Sequence, residues 1–231
     1  MTETALIVGA SRGIGLGLVG EFERRGWDVT ATARTPAKGD ALDELAAASG
    51  GRVHVETADT ADVRSVEALR ERLAGQTFDL ILVNAGMGGP RDKNPRNVSD
   101  AEFTQLFVTN SLAPVRLAEL FAKQVKPQTG VIGLMTSTLG SVEGASAGGM
   151  ELYRASKAAL NSFTRSFAAR HKDKGLAVLS LHPGWVRTDM GGANAAIDVA
   201  TSVKGLADVV ERAQKDRKDG FFDYKGDTLP W

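Results

Sequence analysis

The sequence has 231 residues, 28 Lys and Arg against 28 Asp and Glu, and no cysteine. The balanced charge provides no global field that would attract nucleic acid or an anionic membrane, so neither is a predicted partner. The lack of cysteine excludes disulfides, thiolate nucleophiles and cysteine-based metal sites, and no metal site is predicted. With no signal-peptide pattern, no linker and no apolar run near ~18 residues, we expect a cytoplasmic protein with one domain over residues 1–231.

Short apolar runs alternate along the chain with patterns of helical spacing. Such runs are typical of strands buried on both faces of a parallel sheet. The predicted strands are Ala5–Val8, Val29–Ala33, Val53–Thr57, Leu80–Val83, Val131–Met135, Ala177–Leu181 and Phe221–Tyr224. The alternation predicts an α/β fold, a single doubly wound Rossmann-type domain whose seven-stranded, mainly parallel sheet has helices on both faces. Ligands of such sheets bind beyond the carboxyl ends of the strands, so the loops that follow the strands are the candidate site.

The first predicted strand leads through a glycine-rich turn into a helix. Free N–H groups and the dipole of a helix N-terminus bind pyrophosphate, and glycines let the backbone approach it closely. The turn therefore predicts a dinucleotide site, and a plain tight turn is the alternative. Its candidate residues are Gly9, Ser11, Arg12, Gly13, Ile14 and Gly15.

The end of the second strand indicates which dinucleotide binds. An NAD enzyme places Asp or Glu there, on the ribose hydroxyls. This sequence has Arg34 instead, and Arg12 of the glycine turn can approach the same region. Two guanidinium groups suit a ribose 2′-phosphate, so the predicted cofactor is NADP(H). The alternative is that Arg34 is an ordinary exposed arginine.

The loops after the third and fourth strands carry further candidates for the nucleotide site. Asp59 could accept a hydrogen bond from adenine, and Asn84-Ala85-Gly86 follows the fourth strand. Taken singly, these are also residues that ordinary turns prefer. Their value as predictions lies in their combination with the glycine turn.

A further helix is predicted to begin near Ser99, which with Glu102 forms a capping-box pattern. It runs through Asn110 and then meets Pro114. Because proline has no N–H, the carbonyl of Asn110 four residues earlier loses its partner, and the helix should open there and offer an acceptor to a water molecule. Asn110 is thus a candidate for a proton relay, with a proline kink of no further role as the alternative.

Hydroxyl and amine groups follow the fifth strand. Ser137 could orient a substrate oxygen, and Ser141 is a weaker candidate in a Gly/Ser-rich stretch. Tyr153 and Lys157 stand four residues apart, on one face of a predicted helix. A cation ~4 Å from the phenol would lower the tyrosine pKa toward neutral pH and make Tyr153 a general acid or base. The alternative is an amphipathic helix with an extended lysine side chain.

The turn after the sixth strand contains Pro183 and Gly184. The hydroxyl of Thr188 and the main chain of Val186 could bind a carboxamide. His182 precedes this turn, and a lone histidine at a strand end fits a structural role better than that of a general base.

In order and spacing, these residues resemble the short-chain dehydrogenase/reductase family. The matching positions are Gly9, Gly13, Gly15, Asn84-Ala85-Gly86, Asn110, Ser137, Tyr153 with Lys157, and Pro183-Gly184 followed by Thr188. The resemblance implies that Tyr153 donates the proton, that Lys157 binds the nicotinamide ribose and lowers the pKa of Tyr153, that Ser137 orients the carbonyl and that Asn110 holds the relay water. Val8 stands where the family usually has Thr, so the glycine turn lacks a hydroxyl that could brace it.

The tail from Gly220 to Trp231 resembles the branch that includes sniffer-type carbonyl reductases and C-factor signalling proteins. The resemblance implies an NADP(H)-dependent oxidoreductase that transfers a hydride between nicotinamide and a small carbonyl compound or alcohol, reducing aldehydes, ketones or quinones. The alternatives are a C-factor-like signalling or nucleotide-sensing protein with little turnover, and a 3-oxoacyl thioester reductase.

The resemblance also implies a homo-oligomer, a dimer or tetramer. It would form through the helices that begin near Ser99 and Tyr153. The helical spacing of Leu160, Phe163 and Phe167 supports such an interface, and a plain core role for these side chains is the alternative.

Overall fold

The computed structural model describes residues 2–90, 92–146 and 148–231. Its strands form one sheet in the order β3-β2-β1-β4-β5-β6-β7, and every neighbouring pair is parallel. The strands are β1 Thr4–Val8, β2 Asp28–Ala33, β3 Val53–Thr57, β4 Leu80–Val83, β5 Val131–Met135, β6 Ala177–His182 and β7 Gly220–Asp223. The predicted fold class is confirmed, and each predicted strand lies within one residue of its observed bounds.

Helices cover both faces of this sheet. They are α1 Gly13–Arg24, α2 Ala41–Ala48, α3 Val63–Arg72, α4 Asp100–Phe107, α5 Ala113–Phe121, α6 Glu151–Arg170 and α7 Val199–Asp216. The sequence analysis identifies neither α2 nor α7. The signal for α7 is nevertheless present, because Asp198 caps its N-terminus and Val203, Leu206 and Val210 recur at helical spacing on its buried side.

Alternation along the strands places one core on each face of the sheet. In β1, Ala5 and Ile7 pack with α1, α2 and α7, whereas Leu6 and Val8 pack with α3, α5 and α6. All four side chains are fully buried. Strands that are apolar at nearly every position therefore follow from burial on both faces.

The three apolar residues that the sequence assigned to an interface differ in their burial. Leu160 and Phe167 are fully buried in the core beneath α6, while Phe163 is 43% exposed. The expectation that all three contribute to a contact between subunits is therefore wrong for Leu160 and Phe167. Residues seven apart, such as Leu160 and Phe167, lie on nearly the same face of a helix. Phe163, three residues after Leu160, projects at a different angle and turns away from the sheet.

The parallel sheet determines where the candidate site lies. All strands end at the same edge, so the loops after β1, β2, β4, β5 and β6 meet there. The described part of the chain contains no helix that is both long enough and apolar enough to cross a membrane.

Candidate active site

The glycine turn between β1 and α1 depends on close main-chain contacts. Gly9 has a φ of +85°, and a Cβ atom there would lie 2.8 Å from the Cα atom of Ala85. A Cβ atom on Gly15 would collide with the carbonyl oxygen of Gly9, and one on Gly13 would lie 3.4 Å from Thr188. The three loops are packed so closely that only glycine fits at Gly9 and Gly15, and the turn leads directly into α1. This arrangement fits a dinucleotide pyrophosphate.

Two side chains hold this turn in place. The N–H of Gly9 donates to the hydroxyl of Thr32 at 3.2 Å, and the side-chain amide of Asn84 donates to the carbonyl of Gly9 at 2.9 Å. Thr32 of β2 thus supplies the turn with the bracing hydroxyl that Val8 lacks. Sequence reasoning missed Thr32 because nothing local in β2 shows that its side chain faces the neighbouring turn.

The two predicted phosphate-binding arginines have different surroundings. Arg34 is exposed directly after β2. The guanidinium of Arg12 forms an ion pair with the carboxylate of Asp189 at 2.8 Å, a partner that the sequence analysis did not foresee. Because both side chains of this pair are about three-quarters exposed, the pair contributes little to stability and leaves Arg12 able to exchange partners.

The remaining predicted cofactor residues lie at the same sheet edge. Ser11 is exposed, and Ile14 packs partly against the core. The carboxylate of Asp59 accepts the N–H of Ala61 at 3.0 Å, which is a turn interaction. In the turn after β6, Gly184 has a φ of +85° and Val186 is buried. There the Pro183 carbonyl accepts the Ser202 hydroxyl at 2.7 Å, and the Thr188 hydroxyl accepts the N–H of Gly191 at 3.1 Å.

Asn110 lies in a π-helical turn, Val108–Leu112, that joins α4 to α5. The helix widens there, as expected, but it continues into α5, with Pro114 in the first helical turn, where a missing N–H is tolerated. The side chain of Asn110 is fully buried. Its oxygen accepts the N–H of Met87, and its amide donates to the Met87 carbonyl, both at 2.8 Å, and to the Ser156 hydroxyl at 3.1 Å. The side chain therefore joins the loop after β4 to α6.

Tyr153 and Lys157 project from the first turns of α6, close to Ser137. The Lys157 Nζ lies 5.9 Å from the centroid of the Tyr153 ring and donates to the carbonyl of Met135 at 2.9 Å. Ser137, which caps the short 3-10 turn Thr138–Gly140, hydrogen-bonds the Tyr153 side chain. A Cβ atom on Gly86 would lie 3.5 Å from the Lys157 Nζ, so the loop after β4 closes against the same group. The structure thus brings the four predicted catalytic residues to one place.

Burial determines the protonation of this cluster. Burial raises the pKa of Tyr153, although the hydrogen bond with Ser137 lowers it in part. Burial also lowers the pKa of Lys157 to about 8. The expectation that Lys157 brings the pKa of Tyr153 toward neutral pH is therefore wrong for this arrangement. The ammonium group points to the Met135 carbonyl, and removal of the phenol from water outweighs the attraction. At neutral pH, Tyr153 retains its proton.

The structure gives Ser141 a structural role and buries much of the His182 imidazole. The hydroxyl of Ser141 donates to the carbonyl of Trp231 and accepts the N–H of Gly144. Burial lowers the pKa of His182 to about 4, so its imidazole is neutral at physiological pH. Ser137 is thus the hydroxyl that faces Tyr153, and His182 lies at the end of β6, as a structural residue would.

The chain is similar to known proteins along most of its length. The model of the family described as short chain dehydrogenase matches residues 3–198. The chain belongs to this family. C-signal of Myxococcus xanthus is 34% identical over 154 residues, which cover 66% of this chain and 92% of C-signal.

Two solved structures overlay the whole chain. A short-chain dehydrogenase/reductase from Burkholderia multivorans with bound NADP is 43% identical, with a TM-score of 0.95 and full coverage of both chains. The carbonyl reductase Sniffer of Drosophila melanogaster is 29% identical, with a TM-score of 0.90 and full coverage of both chains. The predicted resemblance to the sniffer and C-factor branch of the family is confirmed, and the chain is an oxidoreductase by family.

Proposed function

We propose that this oxidoreductase uses NADP(H) to reduce the carbonyl group of a small aldehyde, ketone or quinone to an alcohol. The observation that carries the proposal is the cluster of Ser137, Tyr153 and Lys157 beside the glycine turn. When bound, the cofactor supplies the hydride. NADP in the Burkholderia multivorans relative and the exposed Arg34 support the choice of cofactor.

Each residue of the cluster has a distinct task in this reaction. The hydroxyls of Ser137 and Tyr153 bind the carbonyl oxygen, and Tyr153 donates a proton to it as negative charge develops. At neutral pH Tyr153 carries its proton, which this direction requires before each turnover. Lys157 binds the nicotinamide ribose and, with a water held at the main chain of Asn110, returns a proton to Tyr153.

The rim of the site favours an uncharged, apolar substrate. Four exposed apolar side chains belong to the loops that follow β5 and β6 at the same sheet edge: Val142, Met150, Trp185 and Met190. Exposed apolar side chains near a ligand site favour apolar ligands. We propose that the enzyme is cytoplasmic: a chain without cysteine can form no disulfide, the bond that is typical of secreted proteins.

Consumption of NADPH in the presence of aldehydes, ketones, quinones and acyl thioesters tests the proposal. Tyr153→Phe keeps the ring and deletes the acid, so kcat should fall by about 10²–10⁴ while NADPH affinity stays nearly unchanged. Lys157→Met should lose both turnover and cofactor affinity. A folded Tyr153→Phe variant that reduces a substrate at the wild-type rate would show that another group is the acid.

The match to C-signal supports one second candidate, a nucleotide-binding protein with little turnover. The two candidates differ in one measurement. A sensor binds NADPH but does not oxidise it with any carbonyl compound of the panel, whereas the proposed reductase does both. Turnover with acyl thioesters alone would instead identify a 3-oxoacyl thioester reductase.

A further inference from the structure

The last residue of the sequence contacts the loop that joins two parts of the active site. The carbonyl oxygen of Trp231 accepts the N–H of Glu143 at 3.2 Å and the hydroxyl of Ser141 at 3.4 Å. Both donors belong to the loop between Ser137 and Tyr153. The tail thus extends from the edge strand β7 to the loop that follows Ser137.

The indole ring of Trp231 is fixed by two other elements. Its centroid lies 5.5 Å from that of Phe221 in β7, and the guanidinium carbon of Arg165 in α6 lies 5.2 Å from it. Upstream, the N–H of Leu229 donates to the Phe221 carbonyl at 2.8 Å, which ties the tail to β7. The ring contacts therefore determine where the carbonyl of Trp231 lies.

A chain of hydrogen bonds leads from this carbonyl to Ser137. Within the 3-10 turn, the N–H of Gly140 donates to the Ser137 carbonyl at 2.8 Å and that of Ser141 donates to the Thr138 carbonyl at 3.0 Å. Asn161 of α6 donates to the Gly140 carbonyl at 3.2 Å. Displacement at Ser141 is thus transmitted over one short turn to the residue that binds the substrate oxygen.

Beyond Ser141, the described residues of the loop form hydrogen bonds mainly with one another, such as that from the N–H of Ala145 to the Val142 carbonyl. Residues 142–146 are all exposed, and Val142 is 72% exposed. An exposed segment without core contacts takes its position from its hydrogen bonds and is drawn from the least stable part of a structure. For described residues 142–146, the bond from Glu143 to Trp231 is the hydrogen bond that ties the loop to another segment.

We propose that Trp231 is a positioning residue of the active site: its ring, held by Phe221 and Arg165, places its carbonyl so that the loop of residues 141–146 and the Ser137 hydroxyl are fixed against Tyr153. Trp231 touches no reacting atom and acts through Ser137. The proposal rests on the proposed carbonyl reduction for its kinetic effect. Its structural part, the ordering of the loop, does not depend on any activity.

Trp231→Ala tests the proposal, because it removes the ring and leaves the carbonyl without its anchor. We expect kcat to fall about 10- to 100-fold, as for other small misplacements of catalytic groups, with NADPH affinity unchanged. Amide hydrogen exchange at residues 141–144 should become faster. Trp231→Phe keeps an aromatic ring against Phe221 and should recover most of the rate and of the exchange protection.

Two further variants separate positioning from simple stabilisation of the tail. Asp227→Ala alters an exposed residue of the same tail that binds β7 through its main chain, and it should leave kcat and loop exchange at wild-type values. Ser141→Ala removes the hydroxyl that donates to Trp231 and accepts the N–H of Gly144, and it should lower kcat even if Trp231→Ala fails to fold. Its combination with Trp231→Ala should cost less than the sum of the two single effects.

The results of these experiments separate a failure of the positioning role from a failure of the proposed function. If the wild-type protein oxidises NADPH with no carbonyl compound, the proposed function is wrong, and loop exchange in Trp231→Ala still decides whether the tail orders the loop. If the wild type is active and folded Trp231→Ala matches its kcat, the positioning role is wrong. Equal losses in Trp231→Ala and Asp227→Ala would also overturn it, since they would reflect stability alone.

Discussion

At the scale of single residues, burial shifts the pKa values of Tyr153 and Lys157 in opposite directions. A low-dielectric site disfavours the charged form of each group, so the phenol keeps its proton and the ammonium loses its proton more readily. The two pKa values thereby move apart, with that of the phenol above that of the ammonium, so proton transfer from Lys157 to a Tyr153 phenolate is favourable. The phenol of Tyr153 is adjacent to Ser137, and the ammonium of Lys157 is adjacent to the Met135 carbonyl. These surroundings, and not the spacing of the two residues in a motif, determine the pKa shifts.

The pKa of Lys157 predicts a pH dependence of stability. In the folded protein it lies at about 8, below its ordinary value of 10.5, so the unfolded chain binds more protons between these two values. The free energy of unfolding therefore rises as the pH rises through this window, and the cost of the buried charge is fully present below it. From neutral pH to about pH 10, the wild type should gain about 2 kcal/mol relative to Lys157→Met. Chemical denaturation of both proteins at the two pH values measures the difference, and parallel changes would contradict it.

Cofactor preference is predicted to depend on Arg34. A charge-assisted hydrogen bond to a phosphate contributes about 1.5–3 kcal/mol, so Arg34→Asp should weaken NADPH binding by about 10- to 100-fold or more. NADH, which lacks the 2′-phosphate, should bind nearly as before. Dissociation constants from fluorescence titration test this, with the exposed Arg64 of α3 changed to Asp as the control. Equal losses for both cofactors would mean that Arg34 does not contact the 2′-phosphate.

At the scale of elements, the glycine turn shows how tertiary packing restricts a local conformation. Gly9 and Gly26 have nearly the same left-handed backbone, with φ values of +85° and +87°. A Cβ atom on Gly26 would meet nothing within 4 Å, whereas one on Gly9 would meet the main chain of Ala85. Of these two turns, only the one after β1 is packed against a second loop.

This pair of glycines provides a matched test of the cofactor site. Alanine should cost about 1–2 kcal/mol at either position because of the left-handed backbone. Gly9→Ala should also displace the turn, with a further loss of about 1–3 kcal/mol and of NADPH binding, whereas Gly26→Ala should bind NADPH normally. Thermal unfolding and NADPH titration distinguish the two effects. Retained NADPH affinity in Gly9→Ala would exclude this turn as the pyrophosphate site.

At the scale of the whole molecule, one apolar surface stands apart from the sheet. It consists of Phe103 in α4, Leu112 in the π-helical turn and Phe163 in α6, each about 40% exposed, and α4 packs against α6. Phe103 also stacks on Phe107 at 4.2 Å. Large apolar side chains exposed together are typical of contacts between proteins.

We expect this surface to join copies of the chain into a dimer or tetramer. Light scattering should then give a mass that is a multiple of 24.4 kDa. Phe163→Glu places a charge in the contact and should shift the mass toward that of the monomer. Val63→Glu, at an exposed apolar residue of α3, serves as the control and should not change the assembly. A monomer at micromolar concentration in the wild type would refute the prediction.

The sequence by itself determined the sheet and the candidates for the central site residues. Strands buried on both faces must be apolar throughout, and a turn packed as tightly as that at Gly9 requires glycine. Both features are therefore visible as local sequence patterns. The i, i+4 spacing of Tyr153 and Lys157 is likewise local.

Tertiary structure alone decided the partners and the protonation of these residues. Thr32 braces the glycine turn, Asp189 pairs with Arg12, and Trp231 holds the loop beyond Ser137, each across segments distant in sequence. Such contacts depend on which segments the topology brings together. The direction of the pKa shift of Tyr153 likewise depends on how deeply the folded chain buries the phenol, and no pattern of neighbouring residues records that depth.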